Sequence, residues 1–86
     1  MTDRKQALID LRDKVRAGDR SASIKGTPIK GYGHLYEGCL NGSLDAAKAL
    51  RLALNLHVPK KMHSDARIEL LNILKYLIAQ EDQREQ

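Results

Sequence analysis

Aromatic residues and cysteine are scarce in this sequence, which has no tryptophan, no phenylalanine and three tyrosines in 86 residues. The one cysteine, Cys39, allows neither an internal disulfide bond nor the usual zinc site built from several cysteines. No signal-peptide pattern opens the chain, and its longest apolar-rich stretch, residues 68–79, contains polar residues and is too short to cross a bilayer. We therefore expect one small domain in a reducing cytoplasm.

Residues arranged for catalysis are also few. Cys39 and His34 lie five residues apart without a third group to orient the histidine, so we interpret Cys39 as a small core residue. The histidines are scattered, and no further metal ligands are spaced to join them. No pair of carboxylates is placed where a pocket would raise the pKa of one of them. The sequence thus predicts a protein that is not an enzyme and that needs no cofactor or metal.

Positive charge is concentrated in the middle of the chain. The formal net charge is +4, but residues 20–63 hold seven lysines and arginines against two acids, a local net charge of +5. Residues 64–86 hold three bases against five acids, a local net charge of −2. An anionic partner would be drawn to the central segment, although a basic surface that only meets solvent has the same composition.

Helical periodicity predicts three helices, at about residues 3–17, 44–56 and 65–80, with a frayed tail at 81–86. In the first helix, Leu8, Leu11 and Val15 form an apolar stripe that stops before Gly18. The second helix begins after the cap Ser43 and is apolar nearly all round, with only Lys48, Arg51 and Asn55 as an exposed strip. Such a helix is expected to be buried between its neighbours or against a second subunit. The predicted fold is an all-α, compact three-helix domain, which we expect to form a homo-oligomer.

A long glycine-rich loop, residues 19–42, separates the first two predicted helices. It holds five glycines, and a structureless loop of this length is unusual in a compact domain unless it is functional or partly structured. Residues 34–40 have the pattern of a short helical turn. The tripeptide Ile-Lys-Gly occurs at residues 24–26 and again at 29–31, which suggests two extended pieces around a turn.

Within this loop, residues 24–34 have the composition of an anion-binding turn. Lys25, Lys30, Tyr32 and His34 alternate with glycines, of which Gly31 lies between two of the candidate ligands. Glycines allow backbone N–H groups to converge on an anion, lysines add charge, and a tyrosine can stack on a base. The spacing is not that of a Walker or dinucleotide-binding motif, so an ordinary glycine-rich connector is the alternative interpretation.

Two segments resemble a known family. Residues 42–50, reading Gly-Ser-Leu-Asp-Ala-Ala-Lys-Ala-Leu, and residues 71–81, with Ile-Leu-Lys-Tyr-Leu-Ile-Ala-Gln-Glu, are similar to a family of small phage and prophage proteins of unassigned function. Members usually have Pro-Gly-Trp and a strand-like stretch between these segments, whereas only residues 55–63 intervene here, without tryptophan. The resemblance implies a phage origin and hence a host-cell cytoplasmic location.

A second, shorter resemblance lies on the glycine-rich loop. Residues 29–32, reading Ile-Lys-Gly-Tyr, followed by Leu35, are similar to a segment of phage anti-CBASS sponges, which sequester cyclic oligonucleotides. This resemblance implies a ligand with phosphate groups for the same loop that its lysines and glycines single out.

These observations predict a phage accessory protein that counters host defence by stoichiometric binding of an anionic ligand. The ligand would be a cyclic nucleotide messenger or a nucleic-acid partner. The predicted ligand-binding residues are Lys25, Lys30, Gly31, Tyr32, His34, Lys48 and Arg51. The alternative is a protein–protein inhibitor of a host nuclease complex, of anti-CRISPR type, or a homo-oligomeric structural module, in which the apolar second helix is the interface.

Overall fold

All regular structure in the computed structural model, which describes residues 3–84, is helical. The α-helices are α1 (Asp3–Arg16), α2 (Gly33–Leu40), α3 (Leu44–Ala53) and α4 (Ala66–Arg84), and a 3-10 turn (Lys30–Tyr32) precedes α2. The all-α prediction is therefore confirmed, and the helix count is corrected from three to four. Across residues 3–84, no helix is both long and apolar enough to cross a membrane.

Contacts at both ends show that α1 and α4 pack antiparallel. The guanidinium of Arg67, in the first turn of α4, donates to the Val15 carbonyl oxygen at 3.4 Å. At the opposite end, Arg4 of α1 pairs with Glu81 of α4 at 3.3 Å. Residues 81–84, predicted to be part of a frayed tail, belong to α4, where Arg4 and Arg84 pair with the buried Glu81. Residues 85 and 86 of that prediction lie outside the described residues.

A left-handed residue ends α3 earlier than the sequence predicts. Asn55 has φ of 59°, and the Leu56 N–H donates back to the Arg51 carbonyl oxygen at 2.8 Å. This pattern, in which one residue in the left-handed conformation redirects the chain, is a Schellman motif. Gly18 and Gly42 have positive φ values of 84° and 89° and end α1 and α2 in the same way. The end of α3 predicted at residue 56 was wrong, because apolar residues continue at helical spacing through the Schellman motif at Asn55.

The segment predicted as a long loop contains the additional helix. Residues 33–40 form α2, so the short helical turn expected at 34–40 is a full helix that buries Tyr36, Cys39 and Leu40. Residues 25–29 form tight turns rather than extended pieces, since the Thr27 hydroxyl donates to the Ile24 carbonyl oxygen at 2.7 Å. The side chains of Tyr36, Cys39 and Leu40 are part of the hydrophobic core, and their burial orders a segment that contains five glycines.

Close packing joins α2 and α3 into a helical hairpin. A Cβ atom placed on Gly38 would lie 2.6 Å from the Cβ of Ala46, so any other residue at position 38 would require α2 and α3 to shift. Ser43 caps α3, as predicted, because its hydroxyl accepts a hydrogen bond from the Ala46 N–H at 3.1 Å.

Burial of α3 differs from the sequence prediction. Ala47 and Leu50 lie in the core, but Leu52 is 62% exposed and Leu44 is 37% exposed. The helix therefore has one solvent-facing side that is partly apolar. Arg51, predicted to be part of the exposed strip, is 8% exposed, because a carboxylate on α4 provides its partner.

We predict that Gly38→Ala destabilises the fold by about 1–3 kcal/mol, because the added methyl group forces α2 and α3 apart. Gly31→Ala is the matched control, since nothing lies within 4 Å of its added Cβ and its backbone is not left-handed. Urea unfolding followed by circular dichroism measures both. Equal stability of the two variants would contradict the close α2–α3 approach.

Candidate functional site

The segment from Ile24 to His34, here called the basic turn, is anchored to the body of the protein. Ile29 is fully buried in the core, and Thr27 is also buried. A Cβ atom on Gly26 would lie 3.6 Å from the Ala7 Cβ, which places this part of the turn against α1. The backbone of the turn is thus fixed at its centre, while the residues on either side of the anchor point remain at the surface.

The two lysines and the histidine of the basic turn are exposed and have no acidic partner among residues 3–84. Lys25, Lys30 and His34 are exposed, and none of them forms an ion pair within the described residues. By contrast, six bases elsewhere pair with carboxylates of the same chain: Arg4, Lys5, Arg12, Arg20, Arg51 and Arg84. The positive potential of the basic turn is therefore left uncompensated by nearby acids.

Backbone N–H groups reinforce the potential at the start of α2. No side chain caps either the 3-10 turn or α2, and the space around Gly31 is open. Uncapped N–H groups at a helix start carry partial positive charge that favours an anion. Tyr32 is half-buried and packs against the core, so its ring offers only part of its surface for stacking.

Two predicted ligand residues lie on α3, outside the basic turn, and they have different environments. Lys48 is exposed and forms no ion pair among residues 3–84. Arg51 is committed to internal contacts: it pairs with Glu69 at 2.9 Å and donates to the His57 carbonyl oxygen at 3.0 Å. Arg51 is therefore removed from the set of surface ligands, because a bound phosphate would have to displace a buried carboxylate.

Glu69 of α4 is the buried partner of Arg51, although glutamate is usually an exposed residue type. Its second carboxylate oxygen accepts from the His63 backbone N–H at 2.7 Å. Burial raises the pKa of Glu69, but the hydrogen bonds from His63 and Arg51 outweigh it and the net pKa is lowered. The burial of Glu69 could have been predicted from its place in the sequence, because Glu69 lies between Ala66 and Leu70 on the apolar stripe of α4.

Cys39 has the environment of a core residue, as predicted. Its side chain is fully buried, and burial raises the pKa of the thiol to about 11. The thiol is therefore protonated at neutral pH and is a poor nucleophile. No group of three or more potential metal ligands is found in residues 3–84, and the described surface has no pocket.

No family model, curated protein or solved structure matches the chain. The likeness to phage proteins thus rests on the short segments 29–35, 42–50 and 71–81.

We predict that Glu69→Gln destabilises the protein by on the order of 3 kcal/mol, because Arg51 then keeps a buried charge without its counter-ion. The lowered pKa of Glu69 also predicts the pH dependence of the parent. The contribution of ionised Glu69 to the free energy of unfolding is complete above the ordinary carboxyl pKa and is lost as pH falls through the lowered pKa. The reason is that Glu69 becomes protonated at a higher pH in the unfolded chain than in the folded protein.

Chemical denaturation at neutral and acid pH measures both effects. Glu37→Gln is the matched control, since Glu37 meets Arg20 at 3.7 Å on an exposed surface, where removing the pair costs less than about 1 kcal/mol. The buried-pair assignment would be wrong if the two variants were equally stable, or if Glu69→Gln kept the full acid sensitivity of the parent.

We predict that the Cys39 thiol reacts with a disulfide reagent only when the protein unfolds, because it is buried and its pKa is raised. Absorbance of the released thiolate should rise slowly in native buffer and at once in guanidinium chloride. Immediate reaction of the native protein would show that Cys39 is an accessible thiol.

Proposed function

We propose that this chain is a non-catalytic phage accessory protein that counters host defence by stoichiometric binding of an anionic ligand. The ligand is a cyclic nucleotide messenger or a nucleic acid, and the basic turn is the contact surface. The observation that carries the proposal is the pair of exposed, unpaired lysines, Lys25 and Lys30, on either side of the buried Ile29. The phage setting rests on the two sequence resemblances.

Anchoring explains why this pair of lysines is better suited to binding than lysines on a flexible loop. Ile29 and Thr27 fix the backbone between Lys25 and Lys30, so that little conformational entropy of the main chain is lost when a ligand binds. Six other bases of the chain already have carboxylate partners that would compete with a ligand. A phosphate at the basic turn meets no such competition.

Each residue of the surface has a distinct role. Lys25 and Lys30 act as point charges toward phosphate oxygens, and His34 adds a hydrogen-bond donor. Gly31 lets the ligand approach the backbone N–H groups at the start of α2, and the exposed part of Tyr32 packs on a base or sugar. Lys48 of α3 contributes long-range attraction.

The described surface has no pocket, so a ligand would bind to an open face of the protein. A ligand on the basic turn of one copy lies on an open face, so a small cyclic messenger would be enclosed only if a second copy covered it. The proposed homo-oligomer supplies that cover. This arrangement needs no catalytic group, in keeping with the buried and protonated Cys39.

A protein–protein inhibitor of a host nuclease complex is the second candidate. The observation in its favour is the exposed stripe on α3, where Leu44, Lys48 and Leu52 follow one another at four-residue spacing. An interface of this kind takes its free energy mainly from apolar burial, so its affinity would depend weakly on salt, unlike that of a phosphate contact.

We predict that Lys25→Glu with Lys30→Glu abolishes binding of anionic probes while helicity is retained, because both side chains are exposed. The probes are a panel of cyclic dinucleotides and trinucleotides and a short DNA duplex, titrated calorimetrically at two salt concentrations. Native mass spectrometry of protein purified from infected cells gives the oligomer mass and any retained nucleotide.

The matched control is Arg16→Glu with Lys75→Glu, which reverses the same amount of charge at two exposed positions that have no ion pair within the described residues. It should bind nearly as the parent does. Unchanged affinity of the Lys25/Lys30 variant for every probe that the parent binds would refute the basic turn as the site. Salt-insensitive capture of a host nuclease would favour the second candidate.

A further inference from the structure

A buried ion pair closes the connection between α3 and α4 into a fixed loop. Arg51 donates to the His57 carbonyl oxygen at 3.0 Å at the loop entrance, and Glu69 accepts from the His63 N–H at 2.7 Å at its exit. Arg51 and Glu69 bind each other at 2.9 Å, so both ends of the loop are tied to one pair of side chains. We call residues 57–63 the clamped loop.

The clamped loop presents two adjacent cations. Lys60 and Lys61 are exposed and make no ion pair among the residues that the structure describes. Pro59 precedes them and restricts the backbone, while Met62 after them packs against the core. The loop is thus ordered before any partner arrives, which lowers the entropy that binding would cost.

Acids next to the loop form no ion pair with these lysines within the described residues. Glu69 is buried and paired with Arg51, and the carboxylate of Asp65 accepts from the Arg67 N–H at 2.9 Å at the start of α4. His63 adds a donor, because its Nδ1 accepts from the Asp65 N–H at 2.9 Å and its Nε2–H is left to donate to a ligand.

The chemistry of the loop indicates what kind of partner it fits. Its exposed residues are lysines and histidines, and the large exposed apolar side chains of the described chain, Leu44, Leu52, Ile68 and Tyr76, all lie elsewhere. Protein interfaces take their affinity from buried aromatic or apolar anchors, which this loop lacks. Contacts to a nucleic-acid backbone need only cations and N–H donors, and they carry no sequence preference.

We propose that the clamped loop is a phosphate-backbone contact surface for nucleic acid, in which Lys60 and Lys61 each bind a phosphate and His63 donates from Nε2. The inference goes beyond the proposed function, because it uses none of the residues of the basic turn and specifies a polymeric ligand. Arg51 and Glu69 are positioning residues for this surface and do not touch the ligand.

The test measures binding of a short mixed-sequence DNA duplex as a function of salt for the parent and for Lys60→Gln with Lys61→Gln. Each lost phosphate contact reduces the steepness of the fall of log K with log salt by about 1, so the slope of the double variant should be shallower than that of the parent by about 2. Both lysines are exposed, so the fold should be unaffected. Arg16→Gln with Lys75→Gln is the control of equal net charge, and its slope should match that of the parent.

Four outcomes would overturn the inference. These are failure of the parent to bind duplex even at low salt, an unchanged slope in the Lys60/Lys61 variant, an equal loss in the control, or equally tight binding of poly-glutamate. The last would indicate an acidic protein partner. A parent that binds a cyclic dinucleotide but no duplex would overturn this inference alone. Duplex binding that is lost with Lys60 and Lys61, while the Lys25/Lys30 variant keeps its affinity for every probe that the parent binds, would overturn the basic turn alone.

Discussion

The buried ion pair between Arg51 and Glu69 is the constraint on which the second half of the structure depends. Charges are costly to bury unless they are paired and hydrogen-bonded, and here the carboxylate is matched by the Arg51 guanidinium and the His63 N–H. The pair links α3, the connecting loop and α4 at a single point. It therefore fixes how the two helices cross and how the loop between them is held, and neither partner is free for a ligand.

The remaining charges divide the surface into two kinds of region. Where α1 begins and α4 ends, bases and acids face each other, with Arg4 and Arg84 both meeting Glu81. In the middle of the chain, Lys25, Lys30, Lys60 and Lys61 lie exposed on turns whose centres or ends are anchored in the core, Lys48 lies exposed on α3, and no acid of the described chain pairs with any of them. Such a surface supports the proposed binding of a polyanion, because its positive potential comes from exposed cations that form no ion pair.

Much of the helical fold was predictable because it follows from local periodicity. The stripe of Leu8, Leu11 and Val15 specified α1, and Ser43 specified the start of α3. Two features were predicted poorly for physical reasons. Gly38 lowers the helical propensity of α2 but permits its close packing on Ala46, so tertiary contact outweighed propensity. Asn55 ended α3 through a left-handed backbone that apolar spacing does not reveal.

The sequence by itself determined the helical class, the single cysteine and the basic segment that holds Lys25 and Lys30, because each follows from residue type and spacing along the chain. Only the tertiary structure decided which charges are available. Arg51 and Glu69 are 18 positions apart, and their pairing depends on how α3 and α4 pack, which no local pattern encodes. The same holds for Ile29, whose burial turns a glycine-rich segment into a fixed surface, since burial is a property of the assembled core rather than of the residue.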